Sequence, residues 1–322
     1  METIKQTLSE LIDISTWQPD SEFDPYPKGA RAKNAVFSPQ NTAPAFIIPD
    51  HRYLFKHSSQ RYPEQFWIEI ISYFIGCLMD VPVPPAFVAF DSRSQQSGAL
   101  IEWFYGYPGE QQVRYIDGGE YMVRLIPNYD RVKGTQHNFR AVSSFAKALV
   151  DGGHLSEDWV EYWCKVFTFD ALIGNTDRHQ DNWGILWKGG KNITVCASFS
   201  PAFDNGTSMG GEIVEKNFPK FDGPTHLLHY VTKGTHHMKW DVRDPARLSH
   251  AEMLVRLITK YPEKKETMLK SLLFDLNELK YFVDGLTKFN VPSQLTRPRA
   301  AFIIKLIGFR QQYLKDIIGK IL

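Results

Sequence analysis

The sequence lacks the features that would assign it to a membrane, secreted or nucleic-acid-binding class. Its 322 residues carry a formal net charge of only +1, so the overall charge does not favour binding to nucleic acid or to an acidic membrane. No apolar run reaches the roughly 20 residues of a membrane-spanning helix, and the N-terminus has no signal-peptide pattern. The three cysteines, Cys77, Cys164 and Cys196, are widely spaced among apolar residues, which predicts reduced core side chains. We therefore expect a cytoplasmic protein without a membrane segment and without direct nucleic-acid binding.

Two nucleotide-binding motifs are also missing. The chain has neither a G-x-G-x-x-G sequence nor a Walker A motif, which excludes the simplest P-loop ATPase. In the corresponding place, the segment PKGARAKNAVF brings one glycine and several cations to the start of a strand, a composition suited to covering polyphosphate. Gly29, Arg31 and Lys33 are its candidate phosphate-binding residues. Taken alone, the segment also fits an ordinary basic surface loop.

The spacing of apolar residues changes along the chain and predicts two lobes. Up to about Tyr105, short apolar runs separated by proline-containing turns predict β-strands, with one prominent helix at residues 64–78. Beyond that point the period is helical, interrupted by a hairpin that we predict to turn at Gly189-Gly190. The prediction is an α+β protein with a two-lobed, protein-kinase-like fold. It has a small β-rich N-lobe (residues 1–105) and a larger helical C-lobe (residues 106–322).

The individual elements follow from the same periodicities. Strands are predicted at NAVFS, PAFII, RYLFK, VPVPPAFVAF and GALIEWFY, and a first helix at residues 2–12. Helices of the C-lobe are predicted at 118–127, 138–151, 156–174, 249–260, 262–273, 276–288 and 296–321. The helix after Ser156 is apolar on more than one side, which indicates the buried spine of this lobe.

The strongest chemical signal is GNTDRHQDNWGIL, which begins at Gly174, followed by SPAFDNGTS, which begins at Ser200. Phosphoryl transfer needs a carboxylate beside the attacking hydroxyl and hard oxygen ligands for Mg²⁺. Asp177 and Asn182 are five residues apart, the D-x-x-x-x-N spacing of a protein-kinase catalytic loop. Taken singly, each residue also suits an ordinary turn, but the ordered set around a hairpin favours catalysis. We predict that Asp177 acts on the acceptor hydroxyl and that Asn182 and Asp204 hold the metal.

Upstream residues complete the predicted nucleotide site. Lys56 ends the apolar strand RYLFK, from which its ammonium group could reach phosphates. Glu69 lies within the apolar segment FWIEII, where an unpaired carboxylate would be costly, so we predict an ion pair with Lys56. Glu64 is the competing partner, although the helix dipole already accounts for an acid in the first turn. In GALIEWFY, the backbone of Glu102 and Phe104 is predicted to bind adenine as a hinge between the lobes.

These motifs resemble those of the HipA-like serine/threonine kinases, whose fold is related to that of phosphatidylinositol kinases. The resemblance covers roughly residues 25–320 and depends mainly on GNTDRHQDN and SPAFDNGTS. It implies ATP and Mg²⁺ as cofactors, with Asp177 catalytic, Asn182 and Asp204 as metal ligands and Lys56 as the ATP lysine. It also implies a protein substrate with a Ser or Thr acceptor. Because such enzymes often act as toxins beside a DNA-binding antitoxin, an antitoxin partner is a further hypothesis.

The chain departs from the long members of that family in three ways, and two other functions fit the same residues. We expect no counterpart of their extra N-terminal subdomain, and the chain has no serine between Gly29 and Lys33 to match the family's autophosphorylated loop. Asp181 stands where lysine is common, which changes the charge expected near the γ-phosphate. The other functions are a small-molecule or lipid kinase on the same scaffold and a nucleotide-binding pseudokinase that acts as an interaction module. The intact catalytic set argues against the pseudokinase.

Overall fold

The computed structural model describes residues 4–22, 33–42, 44–58, 62–189 and 195–321. The first part of the chain forms a sheet from six strands: β1 (Ile12–Asp13), β2 (Gln18–Pro19), β3 (Lys33–Phe37), β4 (Arg52–His57), β5 (Ala86–Asp91) and β6 (Gln96–Glu102). Their order across the sheet is β1-β5-β6-β4-β3-β2. Strand β1 runs parallel to β5, and the other neighbouring pairs are antiparallel.

Strand β4 shows how alternation divides the two faces of this sheet. Tyr53 and Phe55 are buried in a core cluster that includes Ile12 from the N-terminal segment. The intervening residues Leu54 and Lys56 line a cleft instead. Because successive side chains of a strand point to opposite faces, the sequence YLFK places an apolar residue and a lysine on the cleft side together.

Helix α1 (Gln65–Met79) packs against β5 and β6 and is buried along most of its length. It begins after Glu64 and ends at Asp80, which adopts a left-handed conformation with a φ of 54°. The helix predicted at residues 64–78 is therefore confirmed to within one residue at each end. Because it is buried on nearly all sides, it lies between the sheet and helices that follow in the chain.

The helix predicted at residues 2–12 is wrong. The described part of that segment contains a 3₁₀ turn at Leu8–Glu10, followed by β1. Ile12 is buried and Asp13 exposed, a period of two that suits pairing with β5. The helical spacing of the apolar residues was real, but tertiary pairing outweighed it.

The strand predicted at PAFII is also wrong. A turn closes this segment, with the Ile47 N–H donating to the Pro44 carbonyl (3.0 Å). Ile47 is buried in the same cluster as Tyr53 and Phe55, so it reaches the core from a loop. An apolar run next to proline therefore did not need strand pairing to bury its side chains.

A second sheet has three antiparallel strands in the order of the chain: β7 (Val113–Asp117), β8 (Gly184–Lys188) and β9 (Cys196–Phe199). Strands β8 and β9 correspond to the predicted hairpin, whose predicted turn at Gly189-Gly190 lies partly outside the described residues. Strand β7 was missed, because its sequence VRYID is short and none of its side chains is fully buried.

The other α-helices follow in the rest of the described chain. They are α2 (Gly118–Leu125), α3 (Phe139–Asp151), α4 (Trp159–Ile173), α5 (Pro224–Lys233), α6 (His250–Lys260), α7 (Lys265–Ser271), α8 (Leu276–Leu286) and α9 (Arg297–Lys320). All except α5 were predicted, with boundaries shifted by up to three residues; at α7, a 3₁₀ turn (Pro262–Lys264) replaces the start of the predicted helix. Helix α5 buries only Leu227 and Val231, so its apolar stripe is weak.

Helix α4 leads directly into the predicted catalytic loop. It begins at Asp158, whose carboxylate accepts the N–H groups of Val160 and Glu161 (both 3.0 Å), and it ends at Gly174 with a φ of 72°. Cys164 on this helix is buried as expected, whereas Cys196 is exposed, so its predicted core position is wrong. None of the helices in the described ranges is both long and apolar enough to cross a membrane.

Candidate active site

Lys56 is at the centre of the cleft. Its side chain is 7% exposed, and its ammonium group donates to the carboxylates of both Glu69 and Asp204. Glu64, the competing partner, instead accepts from Arg299 Nε (2.6 Å). The structure therefore brings together three of the residues predicted from separate parts of the sequence.

The Glu69 carboxylate has two further partners. Its Oε2 accepts the backbone N–H of Asn205, and its Oε1 that of Gly206, both at 3.0 Å. The helix α1 residue that neutralises Lys56 thus also binds the D-N-G turn. Sequence reasoning predicted the first contact and missed the second, because backbone donors leave no mark in a residue pattern.

Strand β6 ends in the predicted hinge. The Glu102 N–H donates to the Pro85 carbonyl (2.8 Å), but Pro85 has no N–H with which to return the bond. The Glu102 carbonyl therefore lacks the ladder bond that another residue at position 85 would supply. Trp103 donates its N–H to Arg52 (3.1 Å), and Phe104 lines the cleft beside Glu102.

The cleft has a volume of about 340 Å³ and an aromatic wall. The rings of Phe104 and Phe203 stack with centroids 5.2 Å apart, and those of Tyr105 and Tyr115 stack at 5.8 Å. Flat apolar faces next to a few polar backbone groups suit a planar heteroaromatic ligand. This wall was missed from the sequence, because its members come from three separate segments.

The loop between α4 and β8 is held by its own side chains. The buried Asn175 accepts the N–H of Asp177 at Oδ1 (2.9 Å), and Asn182 donates its Nδ2 to the Asp177 carbonyl (2.7 Å). His179 accepts the Asp181 N–H at Nδ1 (3.2 Å). Because the Nδ2 of Asn182 donates to the Asp177 carbonyl, the amide oxygen of Asn182 points away from that carbonyl.

Asp204 has an unusual backbone conformation. Its φ of 58° lies in the left-handed region, where a residue other than glycine costs about 1–3 kcal/mol. The carbonyl of the preceding residue, Phe203, accepts a hydrogen bond from Arg178. The carboxylate of Asp204 accepts one from Lys56. Strain that is maintained by surrounding contacts is typical of functional positions.

Arg178 connects the two segments of the candidate site. It is fully buried and forms a bidentate pair with the equally buried Asp170 (2.6 and 3.0 Å). It also donates to the Phe203 carbonyl and to Asn205 Oδ1 (2.8 Å). Burial acts to raise the pKa of Asp170, but the Arg178 charge and hydrogen bonds from His236 and Arg178 lower it to about 2. An acid within the otherwise apolar VFTFDALI was a sequence signal for this pair that we did not use.

Asp181, which stands where the family often has lysine, has a cation beside it. Arg131 donates to Asp181 (3.2 Å) and to both carboxylate oxygens of Asp117 (2.8 and 2.9 Å). Both acids and Arg131 line the cleft. A Cβ at Gly119 would lie 2.3 Å from Asp181 Oδ1, so the glycine is what allows this approach. Burial raises the pKa of Asp117.

Of the three predicted phosphate-binding residues, Lys33 is described, whereas Gly29 and Arg31 lie outside the described residues. Lys33 faces Lys56 in the register of β3 and β4, and both line the cleft. Two lysines side by side repel one another unless an anion lies between or beside them. The carboxylates of Glu69 and Asp204 supply this negative charge beside Lys56.

The predicted metal ligands fit Mg²⁺ in kind. Asn182 and Asp204 both line the cleft and offer one amide oxygen and one carboxylate, which are hard ligands. Within the described ranges, no group of three or more His, Cys, Asp or Glu side chains could hold a metal. A site with two protein ligands is typical of Mg²⁺ that is bound together with phosphates, since the ion keeps its other positions for phosphate oxygens and water.

A solved kinase structure matches the fold of this chain. The Helicobacter pylori proinflammatory kinase CtkA matches with a TM-score of 0.70 and 17% identity, over 96% of this chain and 96% of that chain. The chain has a kinase-like fold. The two-lobed α+β fold class predicted from the sequence is thereby confirmed.

A second structural match is a chain of the Shewanella oneidensis MR-1 toxin–antitoxin complex of HipA, HipB and operator DNA. It has a TM-score of 0.47 and 13% identity, over 94% of this chain and 70% of that chain. No family model and no curated protein sequence matches the chain.

Proposed function

We propose that this protein is an ATP- and Mg²⁺-dependent phosphotransferase, and that it transfers the γ-phosphate to Ser or Thr of a protein. The observation that carries the proposal is the contact of Lys56 with both Glu69 and Asp204, in a cleft that Asn182 also lines. A lysine held by a helix carboxylate beside a metal-binding acid is the arrangement that kinases use on ATP phosphates. The kinase-like fold supports the same conclusion.

Each part of the cleft has a role in this proposal. The Glu102 carbonyl and the Phe104 N–H would bind adenine, with the aromatic wall around the ring. Lys56 would bind phosphate oxygens, with Lys33 beside it. Asn182 and Asp204 would hold Mg²⁺, which neutralises charge on the phosphates when bound.

Asp177 would act on the acceptor. It lies in the loop that begins after Gly174, and its backbone is fixed by Asn175 and Asn182. A carboxylate held beside the incoming hydroxyl accepts its proton and orients it for attack. The hydroxyl oxygen forms the new bond to phosphorus, and ADP leaves with the bridging oxygen.

The acceptor class and the partner depend on the sequence resemblance alone. A small-molecule or lipid kinase uses the same catalytic residues. A toxin role with a DNA-binding antitoxin is likewise proposed from the resemblance. The division into lobes at residues 1–105 and 106–322 is proposed as well. Incubation with labelled ATP and a cell lysate, followed by identification of the labelled product, tests the acceptor and also detects self-labelling.

The first test is Asp177→Asn. We expect phosphate transfer to fall by about 10²–10⁴-fold while ATP binding stays within a few-fold of wild type. Transfer is measured with labelled ATP and binding by calorimetry. Asp284→Asn, an exposed acid on α8, is the matched control and should change neither. A loss of ATP binding equal to the loss of transfer would assign Asp177 to the structure or to the metal instead of the acceptor.

The metal assignment has its own test in Asp204→Asn. Because Mg²⁺ and ATP bind together, this variant should weaken ATP binding in Mg²⁺ much more than in EDTA. Both affinities are measured by titration. An equal loss under the two conditions would show that Asp204 acts only through Lys56, and the metal assignment would then be withdrawn.

A further inference from the structure

Arg299, in the first turn of α9, contacts two segments that are distant from it in the chain. Its Nε donates to Glu64 Oε2 (2.6 Å), just before α1. One of its terminal nitrogens donates to the Gly210 carbonyl (3.0 Å) and the other to the Ile213 carbonyl (2.7 Å). A single guanidinium group thus joins α9, the start of α1 and the segment that follows the D-N-G turn.

Helix α1 also contacts the D-N-G turn and the residues after it directly. Glu64, just before α1, and Ile68 are four positions apart, so their side chains lie on the same side of the start of this helix, and Glu69 follows Ile68 in the chain. Glu69 accepts the N–H groups of Asn205 and Gly206. Ile68 packs so closely on Gly211 that a Cβ there would lie 2.6 Å from its Cδ1. We call residues 205–213, together with Glu64, Ile68 and Glu69, the clamp.

Arg299 attaches the clamp to the helical part of the molecule. Its side chain is 7% exposed, that of Glu64 is 19% exposed, and the Phe218 ring centroid lies 4.7 Å from the guanidinium carbon. A charge this buried is stabilised only when its donors are satisfied, and here the partners are one carboxylate and two carbonyls. Lysine could replace only some of these bonds, because it lacks the planar fork.

We propose that Arg299 is a positioning residue: by fixing the clamp to α9, it sets the place of Glu69, and through Glu69 that of Lys56 and Asp204. The geometric part of this inference is independent of the reaction, whereas its catalytic consequence rests on the proposed function. A displacement of about 1 Å at a catalytic group can cost about 10²-fold in rate, so a contact far from the cleft can control the rate.

The test compares Arg299→Met with Arg297→Met, an exposed arginine two residues away in the same helix turn. Amide hydrogen exchange is followed by mass spectrometry on a peptide that covers residues 204–208, with a peptide from α8 as internal reference. We expect exchange in residues 204–208 to accelerate about tenfold or more in Arg299→Met, with α8 unchanged, and no change at either place in Arg297→Met.

The catalytic readout is the split between kcat and the KM for ATP. Arg299→Met should lower kcat about tenfold or more while changing the KM less than about threefold, and Arg299→Lys should recover part of the loss. If Arg299→Met does not fold, Glu64→Gln serves in its place, because it keeps the volume and removes the charge.

The outcomes separate this proposal from the proposed function. If the wild-type protein shows no phosphate transfer, the exchange result still decides whether Arg299 fixes the clamp. Unchanged exchange in residues 204–208, or faster exchange in α8 to the same extent, would overturn the proposal. Local acceleration with an unchanged kcat would overturn its catalytic part.

Discussion

At the scale of single residues, the site depends on buried charges that share partners. Lys56 contacts two carboxylates, and Glu69 accepts from a lysine and two backbone amides. Removing one member of such a group leaves the others desolvated without compensation, which costs more than the intact contact contributes. The members should therefore act as a unit in kinetic measurements.

We expect Lys56→Met and Glu69→Gln each to lower the phosphorylation rate by about 10²-fold or more. The double variant should be no more than about threefold below the weaker single variant, because either change already disrupts the shared group. Lys280→Met, at an exposed pair on α8, is the control and should retain wild-type activity.

The measurement is kcat/KM for the wild-type protein, the two single variants, the double variant and the Lys280→Met control. If the two losses multiply, the residues act independently and the pairing has no catalytic meaning. If Glu69→Gln retains wild-type activity, the charge of Glu69 is not what positions Lys56.

At the scale of secondary-structure elements, replacing two helical glycines by alanine should change the free energy of unfolding in opposite directions. Gly118 begins α2 beneath Trp183, and a Cβ there would lie 2.1 Å from the indole ring. Gly285 lies in α8, and a Cβ there would have nothing within 4 Å. Both glycines lie in helices, and they differ in the space available for an added Cβ.

Gly118→Ala should therefore lower the free energy of unfolding by about 1–3 kcal/mol, because the added methyl group displaces Trp183 or α2. Gly285→Ala should raise it by up to about 1 kcal/mol, since alanine restricts the unfolded chain and favours helix. Urea unfolding followed by circular dichroism measures both. Similar shifts of the same sign in the two variants would contradict the packing at Gly118.

At the scale of the whole molecule, buried histidines link stability to pH. Burial lowers the pKa of His137 well below its ordinary value and, with nearby positive charge, lowers the pKa of His237 and of His250 to about 3. Below pH 6.5 the unfolded chain therefore binds protons that the folded protein does not. The stabilisation from these neutral side chains is full above pH 6.5 and is lost as the pH falls towards the folded pKa values.

We expect the free energy of unfolding to decrease below pH 6.5, by about 1.4 kcal/mol per pH unit for each such histidine. His250→Gln should reduce this slope by about one histidine's share, because His250 contacts the Asn175 carbonyl (2.9 Å) as a neutral donor. Urea titrations at a series of pH values between 7 and 5 measure the slope. A slope unchanged in His250→Gln would mean that this side chain is protonated in the folded state.

Much of the fold was predictable, because its signals are local. The buried α1, the spine α4 and the β8–β9 hairpin each carry their periodicity within one segment. The two wrong secondary-structure predictions share a cause: residues 2–12 and PAFII have apolar residues whose burial is satisfied by neighbours distant in the sequence. Local spacing does not record which partner a segment will find.

The sequence by itself predicted a catalytic role for the loop that carries Asp177 and Asn182, since these residues are near enough in the chain for their spacing to carry meaning. It also indicated that Lys56 and Glu69 would need one another, because an acid in an apolar helix requires a cation. Only the tertiary structure decided that Arg131 stands beside Asp181 and that Glu64 binds Arg299, 235 positions away. The physical reason is that a buried charge must find a partner, but any nearby residue of opposite charge satisfies it, and nearness is a property of the fold.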